Sequence, residues 1–231
     1  MQPRLTLRST GRATAFVARA SFHCGPGAAR CRTPVSFTLG VTNPTFRRSV
    51  KFLSLPSSDH PLVCLRSLRE ADVEPWSQYL NLPEVYQHTS WNHPTSQELS
   101  SYLGNEIDNE PSALLRLAIA DRETDQLVGT IGFHTVSEQN RSAELAYDLH
   151  PSMWHKGVAT AIATVVVAWA HNETSTVRVQ ATVLQSNASS IRVLERVGFL
   201  REGLLRSYRV VRGKPGNFYM YAHFAPTPSD A

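Results

Sequence analysis

The most informative part of the sequence is Trp154-His155-Lys156-Gly157-Val158-Ala159-Thr160, because it lies between a strand-like segment and a long apolar helical segment. Residues 143–149 alternate apolar and polar side chains, as in a half-buried strand, and residues 158–170 are nearly all apolar. The first turn of a helix offers unpaired backbone N–H groups and the positive end of the helix dipole, so it attracts anions. Gly157 lets the backbone approach a phosphate, and Lys156 adds a positive charge. The stretch predicts a phosphate-binding loop, with an ordinary strand-to-helix turn as the alternative.

The segments that follow extend this pattern. Residues 177–183 have the composition of a strand, residues 185–190 read Gln-Ser-Asn-Ala-Ser-Ser, and a short helix closes at Gly198-Phe199. With the Trp-x-Lys-Gly-x-Ala-Thr loop, this arrangement resembles the GNAT superfamily of N-acetyltransferases, and within it the branch that acetylates the N-terminal alanine or serine of ribosomal proteins. The resemblance covers residues 62–224. One departure is Trp154, which stands where the wider superfamily usually has Gln or Arg and which is a familiar variation in this branch.

The resemblance implies an α/β fold with a single mixed, mostly antiparallel sheet that splays between its fourth and fifth strands and is flanked by about four helices. Acetyl-CoA, the co-substrate, is expected in the gap. Backbone groups near Tyr147, Asp148 and Leu149 would pair with its pantetheine arm as if it were another strand; the alternative is that these residues form an ordinary sheet edge. The predicted cofactor-binding residues are Tyr147, Asp148, Leu149, Trp154, His155, Lys156, Gly157, Val158, Ala159, Thr160 and Asn187.

Acetyl transfer requires an oriented thioester, an amine that loses a proton and a stabilised leaving sulfur. Asn187 is a candidate N-cap worth about 1 kcal/mol, and the resemblance implies that it also contacts the coenzyme arm. By the same resemblance Ser190 lies near the thioester sulfur, where it would donate a hydrogen bond to the leaving thiolate. Glu144 is the candidate proton acceptor, acting through a water molecule, or else a solvated carboxylate at a strand edge.

The acceptor pocket is predicted from the loop between the first two helices, where His88 and Trp91 precede Asn92 and His93. Glu202 and Tyr208 are further candidates for this pocket; the alternatives are a surface charge for Glu202 and a half-buried aromatic side chain for Tyr208. An α-amine with a pKa near 8 is about a tenth neutral at pH 7, whereas a lysine amine is less than about a thousandth neutral. A protein N-terminus is therefore the expected acceptor. A small amine or an antibiotic remains an alternative acceptor, and a non-catalytic acyl-CoA-binding module is the alternative function.

Charge divides the chain into a leader and a catalytic domain. Residues 1–60 hold nine of the 23 Lys and Arg residues and one acidic residue, so the remainder carries 14 basic and 18 acidic residues. The leader is expected to be disordered, either as an organelle transit peptide or as sequence from a wrongly assigned start. Residues 61–224 would form the domain and 225–231 a disordered tail. A cytoplasmic location is expected, or an organelle matrix if the leader is a transit peptide.

Several partners are excluded by composition. The mildly acidic domain lacks a basic aromatic stripe, which argues against direct nucleic-acid binding, and the longest apolar run, 161–170, is far shorter than the roughly 20 residues of a membrane span. The three cysteines have no metal-binding spacing, and His150 and His155 are poorly placed as a metal pair, so no metal is expected. A homodimer is possible, although no heptad or exposed apolar stripe indicates one.

The remaining elements follow from local patterns. Residues 62–68 predict a strand, Asp72 an N-cap for the first helix, and Thr95-Ser96-Gln97-Glu98 a capping box for a second helix that runs to about Ile107. Further strands are predicted at 114–120, 126–134, 200–211 and 218–224, with a turn at Gly213-Lys214-Pro215-Gly216.

Overall fold

A computed structural model of the protein describes residues 55–103 and 115–226. Residues 1–54 of the leader and residues 227–231 of the tail lie outside this range. The predicted disorder of these two segments therefore concerns residues that the structure does not describe. Pro56 and Ser58 are buried, and the Arg122 guanidinium donates to the Ser58 carbonyl oxygen at 2.7 Å. Pro56 and Ser58, which precede residue 61, therefore pack with the rest of the described residues.

Seven strands and five α-helices are described within these residues. In chain order they are β1 (Val63–Ser67), α1 (Glu70–Leu80), α2 (Pro83–Tyr86), α3 (Ser96–Ser100), β2 (Leu115–Asp121), β3 (Leu127–Ser137), β4 (Ser142–Leu149), α4 (Val158–Glu173), β5 (Arg178–Leu184), α5 (Ala188–Val197), β6 (Leu200–Val211) and β7 (Lys214–Phe224). A single 3₁₀ turn, Pro151–Met153, connects β4 to the loop before α4.

The strands form one sheet in the order β1-β2-β3-β4-β5-β7-β6. All neighbours are antiparallel except β4 and β5, which are parallel and pair only at Ser142↔Arg178, Ala143↔Val179 and Glu144↔Gln180. Beyond Glu144 the two strands separate, so β4 has no partner on that side among the strands of the described residues. The predicted mixed sheet with its splay between the fourth and fifth strands is confirmed.

Two apolar clusters hold helices against opposite faces of the sheet. The alternation along β4 sends Leu145 into a cluster with Ile162 and Val166 of α4, because successive side chains of a strand face opposite sides. The cluster around Trp76 and Leu80 of α1 includes Leu99 of α3. Burial of these side chains provides the main stabilisation of the fold, at about 25 cal/mol per Å² of apolar surface.

Two predicted helix boundaries were wrong. The N-cap of α1 is Arg69, not Asp72. Asp72 lies three residues later, and its carboxylate accepts a hydrogen bond from the Arg69 backbone N–H at 2.8 Å. The same carboxylate forms an ion pair with Arg66 at 2.6 Å. The Thr95 capping box is present, but α3 ends at Ser100 rather than near 107. The backbone N–H of Ser101 bonds to the Glu98 carbonyl three residues back, which closes the helix as a tight turn. Residues 104–107 lie outside the described part.

The predicted turn between the last two strands was also misplaced. Arg212 (φ 53°) and Gly213 (φ 72°) form a two-residue hairpin, and β7 begins at Lys214. Positive φ at both turn residues matches the twist of the flanking strands, so pairing continues through Pro215 and Gly216. The tail is ordered as far as Ala225, whose N–H bonds to the Val177 carbonyl at 3.0 Å.

The edge strand β6 carries apolar side chains that the sequence did not identify as exposed. Leu200 is 63% and Val210 61% exposed, with Leu204 and Tyr208 also at the surface. Strand alternation predicts which residues share a face, but it does not reveal which strand is left uncovered at the edge of the sheet.

Candidate active site

A cavity of about 610 Å³ opens where β4 and β5 separate. The two strands, the loop before α4, α5 and the loop after α2 contribute its walls. The lining includes Glu144, Tyr147, Asp148, Leu149, Trp154, His155, Gly157, Val158, Ala159, Thr160, Asn187 and Ser190, together with His88 and Trp91. Of the predicted site residues, Lys156 and Tyr208 are not among the lining residues. Tyr208 instead packs edge-on against Phe218, with ring centroids 5.8 Å apart.

The loop before α4 has the geometry of an anion cradle. Gly157 is the N-cap of α4 at φ 79°, and no side chain caps the first turn. A Cβ at Gly157 would meet no atom within 4 Å, so the space above its backbone is open. His155, also with positive φ (60°), precedes it. The uncapped N–H groups at a helix start fit the pyrophosphate of a coenzyme.

Trp154 anchors this loop to the sheet. Its indole Nε1 donates to the carbonyl oxygen of Leu149 at 2.9 Å, and its ring packs against the α1 cluster. A Gln or Arg side chain at this position would not fill the same apolar volume. The tryptophan therefore fixes the loop against the end of β4.

A hydroxyl pair spans the gap in the sheet. The hydroxyl of Tyr147, on β4, lies 2.6 Å from Oγ of Ser190, on α5. Burial raises the pKa of Tyr147 to about 12, although the hydrogen bond to Ser190 acts in the opposite direction. Tyr147 therefore keeps its proton at physiological pH, and the pair can donate a hydrogen bond into the cavity. The sequence indicated only a backbone role for Tyr147.

Asn187 connects the two sides of the cavity. Its Oδ1 accepts the backbone N–H of Ser190 at 3.0 Å, which is the predicted N-cap of α5. Its Nδ2 donates to the carbonyl oxygen of His88 at 2.9 Å, in the loop after α2. One side chain thus holds both the start of α5 and the predicted acceptor loop.

Glu144 is a buried, paired carboxylate, and the alternative of a solvated strand-edge group was wrong. Its side chain accepts a hydrogen bond from Thr182 Oγ1 at 2.9 Å and forms an ion pair with Arg209 at 3.0 Å. Both contacts fall on Oε1. The residue is only 9% exposed.

The Asp148 carboxylate is the centre of a buried polar network. Arg116 Nη2 lies 2.5 Å from its Oδ2, and Trp76, Tyr79 and Thr130 donate to it as well. Burial and the nearby Asp148 charge raise the pKa of Tyr79 well above its ordinary value. The side chain of Asp148 therefore ties β4 to β2, β3 and α1, while its backbone lies along the cavity.

Two features fix the loop that carries His88 and Trp91, the predicted acceptor loop. Arg212 at the β6–β7 hairpin donates through Nη1 to the carbonyl oxygens of Tyr86 (2.9 Å) and Thr89 (3.2 Å), and its backbone N–H bonds to Asn92 Oδ1. His93 stacks on Tyr86 with ring centroids 3.7 Å apart. The loop that carries His88 and Trp91 is thereby clamped by the hairpin, which no local sequence pattern indicated.

His134, which the sequence did not single out, also lines the cavity. Within residues 55–103 and 115–226, no group of three or more His, Cys, Asp or Glu residues is arranged to hold a metal ion. No helix in the same ranges is long and apolar enough to cross a membrane.

Known proteins share this sequence pattern. Residues 63–200 match the family described as the acetyltransferase (GNAT) domain. The chain is 35% identical over 112 residues to the uncharacterized N-acetyltransferase YoaA of Bacillus subtilis, a match that covers 48% of this chain and 63% of YoaA. It is 30% identical over 161 residues to the uncharacterized N-acetyltransferase p20 of Bacillus licheniformis, which covers 68% of this chain and 90% of p20. The chain thus spans less than two thirds of YoaA but most of p20.

Solved structures share the fold. The ribosomal-protein-S5-alanine acetyltransferase of Vibrio fischeri superposes with a TM-score of 0.65 at 16% identity, over 73% of this chain and 96% of that one. The spermidine N-acetyltransferase of Vibrio cholerae, solved with CoA and spermine, gives a TM-score of 0.62 at 18% identity, over 71% of this chain and 96% of the other. At these identities the likeness establishes the architecture alone.

Proposed function

The chain belongs to the acetyltransferase (GNAT) family, and from this premise we propose that it transfers the acetyl group of acetyl-CoA to the N-terminal amine of a protein. The observation that carries the proposal is the cavity itself. Its walls include an uncapped helix start, suited to a pyrophosphate, the hydroxyl pair, and the loop that Arg212 clamps. A cofactor and an acceptor can therefore meet in the opening between β4 and β5.

The uncapped start of α4 suits the coenzyme's phosphates. Val158, Ala159 and Thr160 carry the first backbone N–H groups of the helix, and all three residues line the cavity. The unpaired edge of β4 beyond Glu144 provides backbone groups for the amides of the pantetheine arm. When bound, acetyl-CoA supplies the activated thioester.

An α-amine suits the limited basic machinery of this site. The nucleophile must be neutral, and about a tenth of an α-amine is neutral at pH 7 without any assistance. Glu144 is the proposed proton acceptor, acting through a water molecule. Arg209 and Thr182 hold its Oε1, which fixes the direction of the carboxylate. A lysine or polyamine nitrogen would require a much stronger base, because its neutral fraction is about a hundredfold smaller.

Ser190 is the proposed donor to the departing sulfur. If Tyr147 donates its proton to Ser190 Oγ, the Ser190 hydroxyl hydrogen is left to point into the cavity. A preorganised donor of this kind stabilises charge that develops in the transition state. Asn187 keeps Ser190 in place through its bond to the Ser190 backbone N–H.

The test is thiol release from acetyl-CoA by the full chain, with peptides that begin with Ser, Ala, Thr or Met beside spermidine and an aminoglycoside. The same peptides with acetylated N-termini are the matched controls. Turnover that requires a free peptide N-terminus supports the proposal, and turnover confined to the small amines overturns it. Cofactor binding without turnover of any amine would favour a non-catalytic acyl-CoA-binding module.

The role of Glu144 has its own test. We expect Glu144→Gln to lower kcat for the best acceptor by about a hundredfold, the typical contribution of a general base, with unchanged affinity for CoA. Glu202→Gln is the matched control, because Glu202 pairs with Arg178 outside the cavity. Equal kcat for the wild type and Glu144→Gln would remove Glu144 from the mechanism.

A further inference from the structure

The pairing of β3 with β4 is interrupted at one residue beside the cavity. Phe133 pairs with Leu145 and Thr135 pairs with Glu144, so His134 lies between them without a partner residue. Such a β-bulge adds one residue to a strand and re-aims its side chain, and bulges are frequent next to active sites. The interruption directs attention to the imidazole of His134, which lines the cavity.

The surroundings of His134 keep its ring neutral. Burial and the positive charges of Arg116, on β2, and Arg209, on β6, lower its pKa to about 4. The carboxylate of Glu144, on β4, lines the same cavity. No side-chain hydrogen bond joins the ring to any other described residue. A neutral imidazole offers one nitrogen as a hydrogen-bond acceptor.

The charges around this ring favour a particular kind of ligand. Both guanidinium groups already have carboxylate partners: Arg116 pairs with Asp148, and Arg209 with Glu144. An anionic ligand would therefore have to compete with the carboxylate of Asp148 or Glu144 for the guanidinium group. A ligand that donates N–H hydrogen bonds meets no such competition, because the ring nitrogen accepts.

We propose that His134 is an acceptor-binding residue, whose imidazole receives a hydrogen bond from the amine that is to be acetylated. The inference rests on amine acetylation at this cavity, as proposed above, but not on the acceptor being a protein N-terminus. His134 fixes the direction of the amine and leaves proton removal to another group. The bulge lies beside Glu144, because Thr135, the residue after His134, is the one that pairs with Glu144.

The experiment compares His134→Phe and His134→Gln with the wild-type chain, using whichever amine of the panel the wild type acetylates fastest. Phe preserves an aromatic ring without an acceptor nitrogen, while the Gln side-chain oxygen can still accept a hydrogen bond. His60→Gln, at a histidine before β1 and outside the cavity, is the matched control. KM for the acceptor, kcat and the dissociation constant for CoA are measured for each variant.

We expect His134→Phe to raise KM for the acceptor by about twofold to tenfold, as for the loss of a hydrogen bond between neutral groups, with CoA affinity unchanged. His134→Gln should recover much of this loss. An unchanged KM in His134→Phe overturns the inference, as does an equal weakening of CoA binding in both variants. The proposed function is tested separately, by the identity of the amine that the wild-type chain acetylates. A polyamine acceptor would refute acetylation of a protein N-terminus, and the His134 variants would then be compared with that polyamine.

Discussion

The hydroxyl groups of Tyr147 and Ser190 lie 2.6 Å apart and join β4 to α5 across the open part of the sheet. The two residues are 43 positions apart in the chain, and both line the cavity that opens where β4 and β5 separate. Because each hydroxyl orients the other, the two are expected to act as one donor unit.

Ser190→Ala is predicted to lower kcat by about a hundredfold, the lower end of the range for loss of a preorganised donor. Tyr147→Phe is predicted to lower kcat by only about tenfold, because Tyr147 acts through Ser190. The double variant should be no slower than Ser190→Ala alone, because residues that act as a unit are not additive. Steady-state kinetics with acetyl-CoA measure all three. Tyr219→Phe, at a tyrosine whose hydroxyl meets Gln185, is the control. Independent, multiplicative losses would contradict the donor pair.

Gly157→Glu is predicted to abolish measurable CoA binding, because its carboxylate would occupy the open space over the helix start and repel the pyrophosphate. Gly213→Glu is a matched control with a similar φ (72° against 79°) and equally open surroundings at the β6–β7 hairpin. Both variants should lose about 1 kcal/mol of stability from a side chain at positive φ. Calorimetric titration with CoA separates them, and equal affinities would refute the assignment of the loop.

The sequence was sufficient for the elements whose patterns are local. Alternation along residues 143–149 and the apolar run of residues 158–170 predicted a strand, a loop and a helix at nearly their observed bounds. Their adjacency in the chain also placed the anion cradle. Asn187 was predicted as an N-cap because capping involves a residue only three positions away.

Pairings between distant segments were beyond the reach of such patterns. The contact of Glu144 with Arg209 spans 65 positions, and it depends on how β6 lies relative to β4. The bulge at His134 is a register shift, which is a property of two strands rather than of one. Asp148 shows the same limit, since its backbone position was predicted but its network with Arg116 was not.

Asn187→Asp is predicted to separate the two tasks of this side chain. Aspartate caps a helix as well as asparagine does, so α5 and the free energy of unfolding should change little. The donor to the His88 carbonyl is lost, however, and an oxygen now faces that carbonyl. We expect a several-fold higher KM for the acceptor, by analogy with the loss of one hydrogen bond, and an unchanged KM for acetyl-CoA.

The control for this variant is Asn187→Ala, which removes the cap as well and should cost about 1 kcal/mol of stability. Thermal unfolding and steady-state kinetics are measured on both variants. A rise in KM for acetyl-CoA alone in Asn187→Asp would show that the contact with the His88 loop has no part in acceptor binding.

Acidification is predicted to destabilise the protein through His134. The pKa of this ring is about 4 in the folded chain and about 6.5 when unfolded, so between these values the unfolded chain binds a proton that the folded chain does not. Stability is therefore unaffected by His134 above pH 6.5 and falls as the pH drops towards 4, by up to about 3 kcal/mol. His223, whose pKa is also lowered by burial and by His171, contributes in the same direction. Urea unfolding from pH 7 to 4 should show a smaller loss in His134→Gln than in the wild type, and parallel curves would contradict the prediction.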